Sequence, residues 1–166
     1  MCAWLAGYSS TTADTLGADT DPKNIRTRRA ESGDLEAILG MLSELGEPFA
    51  PTDSSGFRQR FSGILDSPST HILLVAESEG RAVGYTLVTA VERLHSNACS
   101  ADIQEVVVSK EYRDTGIGSM LVDAAERAVQ AIGATELTVA TLKNAAFYER
   151  LDYRSTADYL KKRFND

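Results

Sequence analysis

Apolar residues recur along this chain with two periods, and the switches between them mark out its elements. After Ser32 the apolar positions Leu35, Ile38, Leu39, Leu42 and Leu45 fall on one helical stripe. Ser32 reads as the cap of that helix, and Asp34 and Glu36 sit in the first turn, where a carboxylate suits the positive end. Gly46 and Pro48 read as its stop. A shorter helix is expected around 57–65, after a loop at 47–55 that holds two prolines. The period then changes. His71 to Ala76 and Ala82 to Val91 read as strands joined by Glu77-Ser78-Glu79-Gly80-Arg81, a hairpin connection. A polar loop at 92–101 leads to a strand from Ile103 to Val108. The strongest helical stripe follows from Gly116 to Ile132, with Gly133 in the position that ends it. Leu137 to Ala140 is a further strand, Asn144 to Leu151 a short helix, and Tyr153 to Phe164 a final strand or pair of strands.

With a short strand from Ile25 to Arg29 at the start, this order predicts a mixed α/β architecture. A strand hairpin lies in its middle, and helices cover both faces of one sheet. Residues 1–23 are rich in Thr, Ala, Asp, Ser and Gly and carry no period. They read as a flexible N-terminal tail, which leaves 24–166 as a single domain.

Composition narrows the function classes. A hydrophobic content of 43% with 25% charged residues fits an ordinary globular protein. The net charge of -7 argues against a nucleic-acid surface, which needs clustered Lys and Arg. No apolar run approaches the ~20 residues of a membrane span, and the N-terminal segment lacks the basic start of a signal peptide. Cys2 and Cys99 show no metal-ligand spacing and read as reduced thiols. The expectation is a cytoplasmic protein with no metal, no membrane association and no nucleic-acid partner.

The informative segment joins the strand ending at Val108 to the long helix: Arg113-Asp114-Thr115-Gly116-Ile117-Gly118. A P-loop needs Lys-Ser or Lys-Thr after its last glycine, and none is present. A dinucleotide fingerprint needs a third glycine, where Leu121 stands. What remains is a basic residue followed by two glycines at a strand-to-helix junction. Free N–H groups and the helix dipole at such a turn suit a phosphate or pyrophosphate. The competing reading is a glycine-rich helix start selected only for its turn.

The stretch ADIQEVVVSKEYRDTGIGSMLVDAAERA strongly resembles the acetyl-CoA-binding segment of the GNAT superfamily of N-acetyltransferases. There an acidic-apolar strand leads through [RQ]-x-x-G-x-[GA] into a long helix. ATLKNAAFYERLDYR resembles the second signature of that family, a short helix carrying a Phe-Tyr pair before a turn. The likeness runs from about Ile25 to Phe164. It implies a central, mostly antiparallel, splayed sheet of about six to seven strands with helices on both faces, and acetyl-CoA as co-substrate. It further implies that Arg113, Asp114, Thr115, Gly116, Ile117, Gly118 and Ser119 hold the coenzyme pyrophosphate. By the same resemblance the strand backbone at Val106 and Val108 is expected to pair with the pantetheine arm; apart from it, a main-chain N–H near the splay, that of Val107, is the expected donor to the developing oxyanion. Two positions depart from the family pattern. Thr141 stands where Asn is usual, with Asn144 nearer the helical Tyr, and Asp152 replaces the usual Gly. Thr141 and Asn144 remain candidates for coenzyme contact.

Acetyl transfer needs a neutral amine, and free amines have a pKa near ~10, so a base is required. The departing thiolate needs an acid. The resemblance places Tyr148 near the thiol, as acid. Glu105 reads equally as the base or as a solvated edge carboxylate. His71 begins a strand far from the site, and His95 lies in the loop before the cofactor strand. Glu47, Asp53, Glu92 and Asp102 are available to attract a cationic acceptor. The expected activity is transfer of acetyl from acetyl-CoA to a primary amine of a small molecule in a ternary complex. Protein or peptide amines are the alternative acceptors, and a non-catalytic acyl-CoA-binding domain is the alternative class. A homodimer is common in the family and enters only by resemblance.

Overall fold

The computed structural model describes residues 25–46, 53–94 and 98–164. Five strands form one sheet in chain order: β1 (Ile25–Arg29), β2 (His71–Ser78), β3 (Arg81–Glu92), β4 (Cys99–Val108) and β5 (Ala134–Val139). The first three pairings are antiparallel, and β4 pairs with β5 in parallel. That parallel step requires a crossover, supplied by α3 (Ile117–Ala131). The other helices are α1 (Leu35–Glu44), α2 (Ser54–Leu65) and α4 (Ala145–Glu149).

Alternation along the strands builds two cores. Leu73, Val75, Tyr85 and Val107 face α1 and α2, where they meet Ile38, Met41, Phe57 and Phe61. Ile72, Leu74, Val88 and Ile103 face the other way, onto Val122, Ala125 and Val129 of α3 and Tyr148 of α4. Gly84 allows a close approach of α3. A Cβ there would meet Leu121 Cδ1 at 3.1 Å and Ile117 Cγ2 at 3.2 Å. The β2–β3 hairpin turns through Glu79 and Gly80, both at positive φ (51° and 78°), which matches strand twist.

The mixed α/β sheet with helices on both faces is as the pattern predicts, but the described residues form five strands. The C-terminal strands do not form. Tyr159, Leu160 and Phe164 are exposed, and the successive cations Lys161, Lys162 and Arg163 leave no apolar face to bury. β4 begins at Cys99 and β5 at Ala134, earlier than their apolar runs suggest. Ser32 does not cap the first helix. Ser32–Asp34 form a 3-10 turn, and Asp34 accepts the Glu31 N–H at 2.8 Å. Cys99 is buried at the start of β4, and Cys2 lies outside the described residues. Among the described residues no helix is long and apolar enough to cross a membrane, and no cluster of His, Cys, Asp or Glu has the makings of a metal site.

Candidate functional site

The candidate site lies where the sheet splays. β4 and β5 pair only from Cys99 and Ala134 to Ile103 and Val139, so the rest of β4, through Val108, has no strand on that side among the described residues. The β3–β4 register fixes which backbone groups face the gap. Ser109 donates its N–H to Val83 O at 2.9 Å, and Tyr85 lies opposite Val107. Backbone groups alternate sides along an antiparallel strand. The N–H of Val107 therefore points into the ladder towards β3, while Val106 and Val108 turn theirs to the open edge. This corrects the oxyanion expectation at Val107, since the N–H groups on the open edge are those of Val106 and Val108. It keeps Val106 and Val108 as the residues able to pair with an extended arm.

A β-bulge supplies a second feature that the sequence does not advertise. Leu87 pairs with Glu105 and Val88 with Ile103, which leaves Gln104 as the extra residue. Without it, Ile103, Glu105 and Val107 would share one face. With it, Ile103 and Val106 pack towards α3, while Val107 packs on the α1/α2 face with Tyr85, whose hydroxyl donates to Glu105 Oε2 at 2.6 Å. Glu105 is otherwise exposed and makes no other hydrogen bond among the described residues. Tyr85 is 1% exposed, and burial, with the Glu105 charge adding to it, pushes its phenol far above the ordinary value.

Beyond β4, a 3-10 turn at Lys110–Tyr112 delivers the chain to the start of α3. The carboxylate of Glu44, at the end of α1, accepts the Lys110 N–H at 2.7 Å and ties this turn to the opposite layer. Arg113 Nε donates to Val108 O at 3.2 Å, which folds the guanidinium back along the strand end. Asp114 and Gly116 take positive φ (61° and 91°), and Thr115 Oγ1 donates to Tyr112 O at 2.6 Å between them. Asp tolerates this conformation better than most side chains, and Gly takes it without strain. The backbone N–H groups from Arg113 to Ser119 have no acceptor among the described residues. Gly118 faces Phe147, whose ring carbon would sit 3.4 Å from an added Cβ.

α4 lies beside this helix start. The Thr141 hydroxyl accepts the Asn144 N–H at 3.0 Å and so shapes the entry to α4. The Tyr148 ring is 8% exposed and meets Phe147 edge-on at 4.9 Å and Tyr153 at 5.6 Å between centroids. Burial raises the Tyr148 phenol above its ordinary value, so it carries its proton at neutral pH. The chain leaves α4 through Asp152, whose φ of 65° is the one expected of the usual glycine.

Of the carboxylates considered for an acceptor, Asp53 caps α2, accepting the N–H groups of Ser55 and Gly56 at 3.0 and 2.9 Å. Asp102 accepts the Thr138 hydroxyl at 2.5 Å. Both are occupied structurally. His71 opens β2, bonded to the Thr70 hydroxyl at 2.9 Å, on the side of the sheet away from the gap. Glu47 and His95 lie outside the described residues.

Residues 69–155, just over half of the chain, match the sequence model of the acetyltransferase (GNAT) domain family. Glucosamine 6-phosphate N-acetyltransferase 1 of Oryza sativa subsp. japonica is 32% identical over 117 residues, 66% of this chain and 68% of that protein. Among solved structures, glucosamine-6-phosphate N-acetyltransferase from Arabidopsis thaliana superposes with a TM-score of 0.74 at 20% identity, covering 85% of this chain and 99% of that one. A transcriptional regulator from Bacillus halodurans C-125 superposes with a TM-score of 0.75 at 30% identity, covering 84% and 99%.

Proposed function

The chain belongs to the GNAT acetyltransferase family, and from that premise we propose that it transfers the acetyl group of acetyl-CoA to a primary amine of a small molecule within a ternary complex. The observation that carries this reading is the run of N–H groups from Arg113 to Ser119 without acceptors among the described residues, at the positive end of α3 and next to the open half of β4. Backbone donors left unpaired at a helix start are matched to a pyrophosphate. In this reading Asp114, Thr115, Gly116, Ile117, Gly118 and Ser119 hold the diphosphate, and Arg113 adds charge from its terminal nitrogens. The pantetheine arm lies along Val106 and Val108. Thr141 and Asn144 act by setting the start of α4.

The chemistry follows from what flanks that arm. The acceptor nitrogen loses a proton to the Glu105 carboxylate and attacks the thioester carbon. The N–H of Val106 faces the oxygen on which charge develops. When the C–S bond breaks, the Tyr148 phenol gives its proton to the departing sulfur. The phenol is in its donor form at neutral pH, and burial raises it further.

A small amine is preferred as acceptor because the rice relative bears the name of a glucosamine 6-phosphate N-acetyltransferase. The Bacillus halodurans relative is a transcriptional regulator, and that likeness keeps a non-catalytic acyl-CoA-binding domain as the second reading. A free-thiol release assay separates them, using acetyl-CoA with glucosamine 6-phosphate, a polyamine and a peptide with a free N-terminus. Turnover with a small amine supports the proposal. Coenzyme binding without turnover across the panel supports the second reading. Tyr148→Phe lowers kcat by about tenfold or more, with coenzyme affinity kept because the ring still packs. An unchanged kcat removes Tyr148 from the mechanism.

A further inference from the structure

Tyr85 is a buried polar group that the reaction as written does not use. It lies in β3, directly across from Val107 and diagonal to Glu105, with its ring packed among the α1/α2-facing residues. Its hydroxyl donates to Glu105 Oε2 at 2.6 Å. The other carboxylate oxygen, Oε1, has no partner among the described residues, and Glu105 is exposed. The bulge at Gln104 accounts for the meeting, since a regular strand would turn Glu105 to the Ile103 face.

We propose that Tyr85 positions the general base: its hydroxyl clamps Glu105 Oε2 and holds Oε1 out as the oxygen that takes the proton of the acceptor amine. This rests on the reading of Glu105 as the base. An exposed glutamate samples several rotamers, and a single fixed donor to one oxygen removes most of that freedom. The donor is dependable because burial, with the Glu105 charge, keeps the Tyr85 phenol protonated well above neutral pH. The competing account is that Glu105 only satisfies a buried hydroxyl. The two differ in what loss of the hydroxyl does to turnover.

The test is a double-mutant cycle on the full chain with Tyr85→Phe, Glu105→Gln and both together. It uses acetyl-CoA and whichever amine of the panel above turns over fastest. For each protein, kcat, the calorimetric Kd for acetyl-CoA and the Tm are measured. Phe keeps the ring and its packing, and the Kd and Tm report on the fold. Tyr85→Phe is expected to lower kcat about tenfold, with Kd within about twofold, and to change kcat less than about twofold in the Glu105→Gln background. The same loss in both backgrounds, or no loss in either, overturns the positioning role. Wild-type kcat in Glu105→Gln withdraws the base assignment as well. Slow Glu105→Gln beside normal Tyr85→Phe overturns the positioning role alone.

Discussion

Two corners of this molecule carry dense polar chemistry, and they differ in whether it is satisfied. At the β1–α1 corner, Arg28 donates to both oxygens of Asp34 at 2.7 and 2.9 Å, and through Nε to Glu77 at 2.5 Å. Arg26 donates to Glu77 as well, at 2.9 Å, and Asp34 also takes the Glu31 N–H. Each of these four charges has a partner within the fold. At the β4–α3 corner the reverse holds, with a run of backbone donors from Arg113 to Ser119 that the described fold does not use. Both corners hold buried or half-buried polar groups, so density of charge does not separate them. The unused donors do. A closed network joins elements, whereas an open one awaits a ligand.

The largest expected difference between the corners comes from Gly118→Glu. The added side chain meets Phe147 and brings negative charge to the donors. Acetyl-CoA binding is expected to weaken at least a hundredfold while Tm changes little, as read by calorimetry and thermal melting. A large fall in Tm would make the turn a structural corner like the other.

Asp34→Ala is the converse. It strips Arg28 and the Glu31 N–H of partners and is expected to cost about 2 kcal/mol, read by urea unfolding, with coenzyme Kd unchanged. Loss of coenzyme binding in a folded Asp34→Ala protein would break the division of labour between the corners.

The same network sets a pH dependence. Burial opposes the charged form of Asp34, but the Arg28 bonds, the Glu31 N–H and the Arg28 charge outweigh it, and the carboxyl ends below its ordinary value. At Glu77 the Arg28 bond is the leading cause and acts against burial to the same end. A carboxyl lowered in the folded state contributes stability that is full above the ordinary carboxylate range and is lost as pH falls through the folded value. The Tm gap between wild type and Asp34→Ala should therefore narrow as the pH falls through and below that range. A gap that stays constant from neutral pH into strong acid would show that the network contributes nothing through charge.

The smallest effect belongs to Gly116→Ala. Open space surrounds the position, so only the backbone strain at a φ of 91° is felt, about 1 kcal/mol in stability. A stabilised variant would mean that the turn does not hold this conformation.

How much of this is legible in the sequence depends on the range of each signal. The α3 stripe, the Glu79-Gly80 hairpin and the glycine turn are local, and the chain carries them within a few residues. Two family signatures add the site candidates at Tyr148 and at Arg113 to Ser119. The start of β4 escapes a reading of the chain because Ser100 and Asp102 are polar, and only pairing with Val91 and Thr89 makes them strand residues. The terminal strands are suggested by isolated aromatics, but the run of cations beside them decides the outcome. The bulge at Gln104, the turning of the Val107 N–H into the ladder and the Tyr85–Glu105 contact are properties of register between strands. Register is set by the folded sheet as a whole, and no short window of sequence displays it.

The central claim is that the donors from Arg113 to Ser119 hold a coenzyme diphosphate. It is tested most directly by calorimetric titration of the wild-type chain and Gly118→Glu with acetyl-CoA at moderate salt. The account predicts micromolar binding at about one site per chain in the wild type and none in the folded variant. Absence of binding in the wild type, or equal binding by both proteins, would contradict it.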